Sequence, residues 1–437
     1  MVQDSAAIRI VVVGGGKMGL PLACMFASQG ASVTVCDTNP SIVERINKGI
    51  DPHKEPEQDR YVREGVAAGR LRAGADTTAA VAQADAVVIL VSAMLTSERD
   101  IDWDNLLNAS AAVAKGLRKG MLVSYETTLP VGGCRGTLIP AVECSGLKAG
   151  TDFFVVFSPE RVKSRLIFAR LADTPKIVGG VDAASTAAGV DFYRRWLGAP
   201  VTDVGSLEAA EFVKLAGMIY RDVNIALANE LATFAEGLGL DVWPVLLAAN
   251  TDGETALLQP GIGVGGHCTP VYPHFLINGA KRQGMQQDLA ALGRLINDNQ
   301  PRRQIDRLAV ALGGLQGRHV HILGLAFRPQ VPEDAYSPAS VLRDSLIEAG
   351  ASVTIEDPLY SDAELVAKKY RPGSIDGKID AIVLQTAHPE FAEPSFSGWR
   401  ALGVRAVLDG RAFWSRQKAE GAGLIYLGVG VGAITER

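Results

Sequence analysis

The stretch IRIVVVGGGKMGLPLACMFASQGASVTVCD, residues 8–37, decides the fold of this chain. Its first part, Ile8–Val13, is a short apolar run typical of a buried strand, and a glycine-rich turn follows it at once. Small and apolar residues then predict a helix over Leu20–Ser28, and Ser32–Cys36 predicts a second strand that ends in Asp37. The order strand, glycine turn, helix, strand is that of a Rossmann unit.

The turn after the first strand reads GGGKMG and contains the pattern GxGxxG. Glycines there allow a tight turn and let a pyrophosphate approach the amides at the helix N-terminus. An acid at the end of the second strand accepts from ribose hydroxyls and repels a 2'-phosphate, so NAD is predicted rather than NADP. The predicted cofactor-binding residues are Gly14, Gly16, Lys17, Met18, Gly19 and Asp37. The alternative is a glycine turn with a capping aspartate.

Further strands are predicted at Ala86–Ser92, Met121–Tyr125 and Phe153–Phe157, with helical stretches between them. That alternation predicts a parallel doubly wound sheet that ends near residue 200. Apolar and small residues then recur at helical spacing from Leu207 to Leu238. This run predicts one long helix that is shared between domains or between subunits.

A second strand-then-glycine unit begins at His319–Ala326, and Ser352–Ile355 with Asp357 closes it, much as Ser32–Asp37 closes the first unit. The predicted fold class is therefore α/β, with two Rossmann-like doubly wound domains joined by a long central helix. The predicted domains are an NAD-binding domain over residues 1–200, a central helical dimerisation and active-site segment over 201–300, and a Rossmann-like domain over 301–437.

The 437 residues exceed what one hydrophobic core supports, and they are 47% hydrophobic and 21% charged, as in a soluble globular enzyme. The formal net charge of -5 and the absence of a Lys/Arg run give no indication of nucleic-acid binding. Five scattered cysteines predict neither a disulfide framework nor a metal site, and no apolar run reaches membrane-spanning length. Because the first residues lack a basic segment, we expect no signal peptide and a cytoplasmic protein.

A second glycine-rich stretch, GIGVGGHCTP over residues 261–270, contains Cys268. Its glycines let the backbone approach a ligand closely. A thiol presented on such a loop near a hydride acceptor predicts covalent oxidation of an aldehyde. The alternative is a buried cysteine beside a turn. His267 neighbours the cysteine, but adjacent loop residues usually point apart, so we interpret it as structural.

A series of short motifs lies in order along the chain: Gly14–Gly19, Gly69–Ala73, Thr127–Pro130, Ser158–Val162, Lys176–Gly180, Glu211–Leu215, Gly261–Cys268, Gly324–Phe327, Ser337–Pro338 and Asp409–Arg411. Together they resemble the UDP-glucose/GDP-mannose dehydrogenase family over nearly the whole chain. Tyr220–Ala226 and Gly266–Cys268 look most like the branch that acts on UDP-N-acetylhexosamines, especially UDP-N-acetylmannosamine.

The resemblance implies that the C6 alcohol of a nucleotide sugar is oxidised to a carboxylate in two NAD-dependent hydride transfers. It implies that Cys268 attacks the aldehyde intermediate, that the thiohemiacetal yields the second hydride, and that water hydrolyses the thioester. Lys214 matches a lysine that stabilises the alkoxide and the oxyanion. Glu160 matches a carboxylate that acts through water. Thr128 matches a threonine that holds this water, and it is also a predicted cofactor-binding residue. Without the resemblance, these three are a solvated lysine, a loop acid and a turn hydroxyl.

The resemblance also implies that the last domain binds the nucleotide sugar and that basic side chains hold its diphosphate. The candidates for this contact are Arg161, Lys163, Arg165 and Arg328, and the further predicted substrate-binding residues are Lys214, Gly265 and Tyr272. Arg328 replaces the lysine of a Gly-x-Ala-Phe-Lys stretch, which keeps the charge and allows bidentate contact. The long apolar helix and the resemblance both predict a homodimer or a higher homo-oligomer.

Several positions depart from the family pattern. Tyr272 replaces an aspartate and Met218 replaces an asparagine that donates to the oxyanion. Glu254 replaces a basic residue, Ala93–Met94 replaces a Thr-Pro pair, and Ala335 replaces an arginine. Losing one oxyanion donor typically costs about 2.7–4 kcal/mol of transition-state stabilisation. The substrate end is therefore altered while the cofactor fingerprint is retained.

These departures leave three hypotheses open. In the first, the protein completes the four-electron oxidation, and Tyr272 or His274 substitutes for the lost polar groups. In the second, it oxidises an altered sugar nucleotide by two electrons only and stops at a ketone or an aldehyde. In the third, it is a non-catalytic NAD-binding homologue, although the pairing of Cys268 with Lys214 has no use in such a protein.

Overall fold

The computed structural model describes residues 7–162 and 165–432. The chain divides into two compact units. The first unit reaches to Gly217 and includes Asn278–Gln283, and the second comprises Met218–Ile277 and continues from Gly284. Among the helices within these described ranges, none is both long and apolar enough to cross a membrane. The three-part division into 1–200, 201–300 and 301–437 stays a prediction.

The first unit is built on an 8-stranded sheet with the strand order β10-β9-β8-β7-β4-β1-β2-β3. Its strands are β1 Arg9–Val13, β2 Ser32–Cys36, β3 Leu71–Gly74, β4 Ala86–Ile89, β7 Leu122–Tyr125, β8 Phe154–Phe157, β9 Lys176–Gly180 and β10 Val201–Ser206, and a separate antiparallel pair consists of β5 Met94–Leu95 and β6 Ile101–Asp102. The central strand β1 lies between β2 and β4, and both pairings are parallel. The chain therefore reverses its winding beside β1, where doubly wound sheets bind their ligands.

The helices of the first unit cover the faces of this sheet. They are α1 Gly19–Ser28, α2 Pro40–Asn47, α3 Gln58–Ala67, α4 Thr77–Val81, α5 Asp104–Gly116, a π-helical turn Cys134–Leu138 that continues as α6 Ile139–Glu143, α7 Ile167–Asp173 and α8 Ala183–Trp196. Helix α1 is buried along almost its whole length because it packs with small and apolar side chains against the strands. Helix α1 starts just after the fingerprint turn, at the carboxyl end of the central strand.

One strand pair departs from the parallel sheet that the sequence predicts. Val156 and Phe157 of β8 pair antiparallel with Gly180 and Gly179 of β9. The connection between these strands contains the seven-residue helix α7 and returns the chain to the same end of the sheet. Parallel pairing requires a crossover to the opposite end, usually by a longer helix. The sheet is therefore mixed at this position, while its centre is parallel as predicted.

Helix α9, Leu207–Leu238, is a single helix of 32 residues with the bounds that the sequence predicts. The second unit contains a parallel 5-stranded sheet in the order β12-β11-β13-β14-β15. Its strands are β11 His319–Leu323, β12 Ser352–Glu356, β13 Ala381–Leu384, β14 Ala406–Asp409 and β15 Ile425–Gly428. The remaining helices are α10 Val242–Ala249, α11 Tyr272–Arg282, α12 Asp288–Leu312, α13 Pro338–Glu348, α14 Asp362–Ala367, a 3-10 turn Pro389–Phe391, α15 Phe396–Ala401 and α16 Arg416–Gly421.

The two sheets repeat one local geometry at the end of their central strands. Gly14 after β1 and Gly324 after β11 have φ values of +106° and +102°. Each glycine donates its N–H over 2.8 Å to the last residue of the neighbouring strand, Cys36 or Glu356. The predicted fold class, two Rossmann-like domains joined by a long helix, is confirmed.

Candidate active site

The fingerprint turn has the geometry that its glycines require. A Cβ on Gly14 would lie 2.7 Å from the carbonyl oxygen of Leu90, and a Cβ on Gly19 would lie 1.9 Å from that of Gly14. By contrast, no atom lies within 4 Å of the position that a Cβ on Gly16 would take. Gly14 and Gly19 therefore shape the turn, and Gly16 keeps one side of it clear for a ligand.

Asp37 stabilises this turn from the end of β2. Its Oδ2 accepts from the N–H of Gly15 at 2.8 Å, and its Oδ1 accepts from the N–H of Asn39 at 2.8 Å. A carboxylate oxygen can accept more than one hydrogen bond, so Asp37 retains the capacity to bind ribose hydroxyls. From the other side, His53 Nε2 donates to the carbonyl oxygen of Gly15 at 2.7 Å. No sequence motif predicts this contact between residues 38 positions apart.

The start of α1 is suited to an anion. Its N-cap residue, Met18, makes no side-chain capping bond, and Lys17 precedes it with a partly buried side chain. The first amides of the helix therefore lie beside the open side of Gly16, where they can donate to a pyrophosphate. The turn, the uncapped helix and Asp37 together fit NAD, while the individual residue assignments stay predictions.

Lys214 and Glu160, two predicted catalytic residues, lie together in the first unit. The Lys214 ammonium donates to the carbonyl oxygen of Glu160, and it lies 3.6 Å from the Glu160 carboxylate oxygen Oε2. The Lys214 side chain is only 6% exposed and that of Glu160 is 19% exposed. Lys214 is therefore not the solvated helix lysine of the alternative interpretation. An ammonium held in a largely buried position can stabilise negative charge more strongly than one in water.

Arg161, the next residue, is held by the backbone in this structure. Its guanidinium donates to the carbonyl oxygen of Pro175, and burial lowers its pKa. A cavity of about 20 Å³ is lined by Glu160, Arg161 and Lys176, among others. That volume is enough for a single water molecule beside the Glu160 segment. Lys163 lies outside the described residues, and the predicted contacts of Arg161 and Arg165 with substrate stay predictions.

Thr128 follows β7 and is 4% exposed. Glu211 of α9 holds the turn that follows Thr128 in the chain. Its carboxylate accepts from the N–H groups of Gly132 at 2.6 Å and Cys134 at 2.7 Å. Glu211 lies one helical turn before Lys214, so one helix supplies both the ammonium and the anchor of the Thr128 turn. No role is predicted for Glu211 from the sequence, because its partners lie more than seventy positions away.

Burial raises the pKa of Glu211 to about 7, against the two backbone N–H bonds, which lower it. The carboxyl group therefore binds its proton more tightly in the folded protein than in the unfolded chain. Its contribution to the free energy of unfolding is fully present below pH 4.5 and is lost as the pH rises through about 7.

We expect the Glu211→Gln variant to lose this pH dependence. The difference in unfolding free energy between wild type and variant should change by up to about 3 kcal/mol between pH 4.5 and 8. Chemical denaturation at several pH values measures it. Glu208→Gln is the matched control, because Arg135 lowers the pKa of Glu208 and moves its titration below this range. A difference for Glu211→Gln that stays constant from pH 5 to 8 would contradict the expectation.

In the second unit, Cys268 lies on a loop whose glycines are packed against other side chains. A Cβ on Gly265 would lie 2.6 Å from the Phe327 Cβ, and one on Gly266 would lie 2.9 Å from the Phe327 ring. Gly266 also has φ of +96° and donates to the carbonyl oxygen of Ala335 at 2.8 Å. The glycines are therefore required by packing as well as by backbone conformation.

Cys268 itself is partly exposed, whereas Cys24, Cys36 and Cys134 are buried. Its carbonyl oxygen accepts from the N–H of Tyr272 at 3.0 Å, so the cysteine immediately precedes the first turn of α11. A fully buried cysteine beside a turn, the alternative interpretation, does not describe this position.

The altered positions have different surroundings. Tyr272 is partly buried, and its ring centroid lies 5.6 Å from that of Phe275, which is fully buried. Met218 is 9% exposed on α9. Glu254 is exposed in a turn in which the Asp252 carboxylate accepts its N–H at 2.9 Å. Met218 is thus buried and Tyr272 partly buried, while Glu254 is exposed at the surface.

Two further side chains, Arg328 and His388, follow strands of the second sheet. The guanidinium of Arg328 lies 5.8 Å from the centroid of the Phe327 ring, and it is Phe327 that packs against the glycines of the cysteine loop. His388 is fully buried, and its Nε2 lies 3.2 Å from Asp357 Oδ2, so it packs in the interior of the second unit. Asp357 also accepts from the N–H groups of Leu325 and Ala326.

The described site residues therefore form two groups. Thr128, Glu160, Arg161, Lys214 and the NAD fingerprint belong to the first unit, and Gly265, Cys268, Tyr272 and Arg328 belong to the second unit.

Comparison with known proteins agrees with this organisation. Residues 8–197, 208–299 and 321–416 match the NAD binding, central and UDP binding domains of the UDP-glucose/GDP-mannose dehydrogenase family. The chain belongs to this family. It is an NAD-dependent oxidoreductase that acts on a CH–OH group of a nucleotide sugar, as the sequence predicts. The hypotheses of a two-electron oxidation and of a non-catalytic homologue are not favoured.

Individual relatives cover nearly the whole chain. A UDP-N-acetyl-D-mannosamine dehydrogenase from Pyrococcus horikoshii is 32% identical over 98% of this chain and 100% of its own length. An NDP-N-acetyl-D-galactosaminuronic acid dehydrogenase from Ralstonia solanacearum is 30% identical over 94% of this chain and 97% of its own. The solved structure of the Pyrococcus horikoshii enzyme superposes with a TM-score of 0.88 at 30% identity, over 98% of this chain and 100% of that one.

Proposed function

We propose that this dehydrogenase oxidises the C6 alcohol of UDP-N-acetyl-D-mannosamine to the carboxylate, with Cys268 as the nucleophile. The observation that carries the substrate assignment is the full-length similarity to UDP-N-acetyl-D-mannosamine dehydrogenases from Pyrococcus horikoshii and Campylobacter jejuni. The observation that supports the chemistry is a partly exposed thiol on a glycine loop, together with a buried ammonium beside a carboxylate.

NAD, when bound, accepts the hydride in each of the two oxidations. Gly14, Gly16, Gly19 and Asp37 bind it, and Gly16 leaves room for its pyrophosphate. Lys17 and Met18 complete the turn at the start of α1.

Lys214 stabilises negative charge on the substrate oxygen. As the alcohol loses its proton, its oxygen becomes an alkoxide, and a buried ammonium lowers the energy of that charge without first having to reorient. The same ammonium stabilises the oxyanion when the thioester is attacked by water. Its bond to the carbonyl oxygen of Glu160 fixes where the charge lies.

Cys268 attacks the aldehyde carbon, and the resulting thiohemiacetal loses the second hydride to become a thioester. Glu160 takes a proton from the water that hydrolyses this thioester, and Thr128 holds that water. The cavity of about 20 Å³ that Glu160 lines has room for one water molecule, which supports the role of Glu160. The thiol is then restored for the next cycle.

Tyr272 and Met218 change the surroundings of this chemistry without removing its main groups. The family resemblance implies an asparagine donor at the position of Met218, and a thioether cannot donate a hydrogen bond. A larger share of the oxyanion's stabilisation therefore falls on Lys214, one helical turn earlier on α9.

The anionic end of the substrate is bound by Arg161, Arg328 and the backbone at Gly265. Arginine suits a diphosphate because its planar guanidinium can donate two parallel hydrogen bonds. Phe327 beside Gly265 leaves no space for a side chain there, so any contact of Gly265 with the substrate is made by its backbone.

The active form is a homodimer or a higher homo-oligomer in the cytoplasm. On α9, Tyr220, Leu227 and Phe234 recur every seven residues with 56%, 43% and 68% of their surface exposed. On α12, Leu289 and Leu295 are 73% and 57% exposed. Large apolar side chains repeated at helical spacing are typical of a helix face that packs against another protein surface. We propose that a second copy of this chain covers this face. A reducing compartment keeps the Cys268 thiol available.

The test is the amount of NADH formed per molecule of UDP-N-acetyl-D-mannosamine at completion, with the product mass. We expect two NADH and a carboxylate product. UDP-N-acetylglucosamine and UDP-glucose serve as comparison substrates, and we expect lower kcat/KM for both. One NADH with a carbonyl product would contradict the four-electron reaction, and a higher kcat/KM for UDP-glucose would contradict the substrate assignment.

A further inference from the structure

A row of buried polar side chains runs between α9 and α12 in the second unit. Asp222 and Asn229 of α9 are 0% and 1% exposed, and Arg294, Asn297 and Gln300 of α12 are 3%, 1% and 2% exposed. Polar groups so far from water are costly unless they are hydrogen-bonded. We call these five residues the polar row.

The members of the polar row are bonded to one another in sequence. Arg294 pairs with the Asp222 carboxylate, and Asn297 donates to the same carboxylate at 2.8 Å. Asn229 donates to Asn297 Oδ1 at 3.0 Å, and Gln300 donates to Asn229 Oδ1 at 3.3 Å. The row therefore links the two helices as one connected network.

One end of the polar row lies at the first residue of the cysteine loop. The N–H of Gly261 donates to Asn229 Oδ1 at 3.0 Å, and the carbonyl oxygen of Gly261 accepts from Gln300 Nε2 at 3.0 Å. Both backbone groups of Gly261 are thus held, one from each helix. A Cβ on Gly261 would lie 2.7 Å from an Arg411 guanidinium nitrogen, so a side chain at this position would require Arg411 to move.

Pro301, the residue after Gln300 on α12, lies close to the same loop at Gly263. A proline inside a helix removes a backbone hydrogen bond and typically costs about 3 kcal/mol or more. Here the Pro301 ring lies 2.9 Å from the position that a Cβ on Gly263 would take. Gln300 and Pro301 therefore lie against the first and third residues of the loop, Gly261 and Gly263.

The energetics of the network indicate a positional role. Replacing a buried polar network with well-packed apolar residues is often neutral or stabilising, so such a network is weak evidence for stability alone. Such a network favours one relative position of the groups that it joins, because hydrogen bonds have preferred directions. The polar row extends beyond the two helices through its hydrogen bonds to Gly261. The network therefore specifies the position of the cysteine loop.

We propose that Asn229 and Gln300 are positioning residues that hold Gly261 and thereby fix the loop that presents Cys268. The inference rests on the proposed function only in taking Cys268 as the nucleophile. Two other anchors act along the same loop, since Ile262 donates to the carbonyl oxygen of Gly410 and Gly266 donates to that of Ala335. Without the hydrogen bonds to Gly261, the loop keeps those of Ile262 and Gly266, but its first residue is no longer held in place.

The experiment compares Gln300→Met with Gln304→Met. Both glutamines are on α12 and both are buried, at 2% and 0% exposure, but Gln304 accepts from Arg307 at 2.7 Å and not from the loop. Each full-length variant is treated with iodoacetamide, and alkylation of the Cys268 peptide is followed by mass spectrometry. Turnover is measured in parallel as kcat and as KM for NAD. Thermal unfolding and NAD binding show that each variant is folded.

For Gln300→Met we expect Cys268 alkylation to become several-fold faster while kcat falls about tenfold, the effect of one lost positioning hydrogen bond. The KM for NAD should stay within about twofold, because the fingerprint turn is in the other unit. A general loss of structure would raise alkylation of the buried cysteines as well. Gln304→Met should leave both the alkylation rate and kcat near wild type.

A Gln300→Met variant whose Cys268 alkylation matches that of Gln304→Met would overturn the proposal. Should Gln300→Met fail to fold, Gln300→Asn keeps a polar amide at the position but is one methylene too short, and it must show the same directions with smaller size. The alkylation rate is measured without substrate. An absence of turnover in the wild-type protein would therefore contradict the proposed function. The alkylation rates of the variants would still test the positioning role.

Discussion

Replacement of Cys268 with alanine is expected to abolish formation of the carboxylate product. Without the thiol, neither the thiohemiacetal nor the thioester can form, so the second hydride has no covalent precursor. We expect carboxylate production to fall by at least about a thousandfold, since removing a catalytic nucleophile commonly costs more than removing one stabilising group. The readouts are NADH per sugar and product mass over long incubation, where aldehyde or its hydrate with at most one NADH is expected.

Cys144→Ala is the matched control, because Cys144 is the exposed cysteine among those that the structure describes and its sulfur donates to the carbonyl oxygen of Pro140. It should keep two NADH per sugar. Cys268→Ser adds a second comparison, since a hydroxyl is a much weaker nucleophile than a thiol without a strong adjacent base. Carboxylate formation by Cys268→Ala within tenfold of wild type would exclude the covalent mechanism.

The fold was largely predictable because its decisive signals are local. Ser32–Cys36 and Leu207–Leu238 have the bounds that their patterns predict, since strand alternation and helical spacing are properties of neighbouring residues. The strand at Ala86 ends at Ile89 and not at Ser92, because β4 pairs with its neighbours only that far. The antiparallel pairing of β8 with β9 depends on where the chain returns, and no local pattern contains that information.

The candidate site was predictable to the extent that its residues lie in motifs. The glycines of both loops, Asp37 and Cys268 stand in short recognisable patterns, and Lys214 and Glu160 were found through the resemblance. The structure brings the last two together, 54 positions apart. By contrast, Glu211, His53 and the polar row act on backbone groups that are 32 to 79 positions distant. A lone buried Glu, Asn or Gln inside a helix gives no signal until its partner is known.

Lys214→Met is expected to lower kcat by about a hundred- to a thousandfold, the usual effect of removing one group that stabilises a developing oxyanion. Methionine keeps an unbranched apolar stem in a position that is 6% exposed, so the packing of α9 should survive. With Met218 unable to donate, no amide compensates one turn further along the helix. Steady-state kcat and the KM for NAD are measured together, and the KM is expected to change little because the fingerprint turn is not touched.

Lys115→Met is the control for a lost helical lysine, since Lys115 is exposed near the end of α5 in the same unit. It should behave as wild type. Lys214→Arg keeps the charge but replaces a compact ammonium with a wide planar guanidinium, so it is expected to restore only part of the lost rate. Full activity in Lys214→Met would show that the ammonium stabilises no reacting oxygen. Its bond to the Glu160 carbonyl oxygen would then be a structural contact between α9 and the loop after β8.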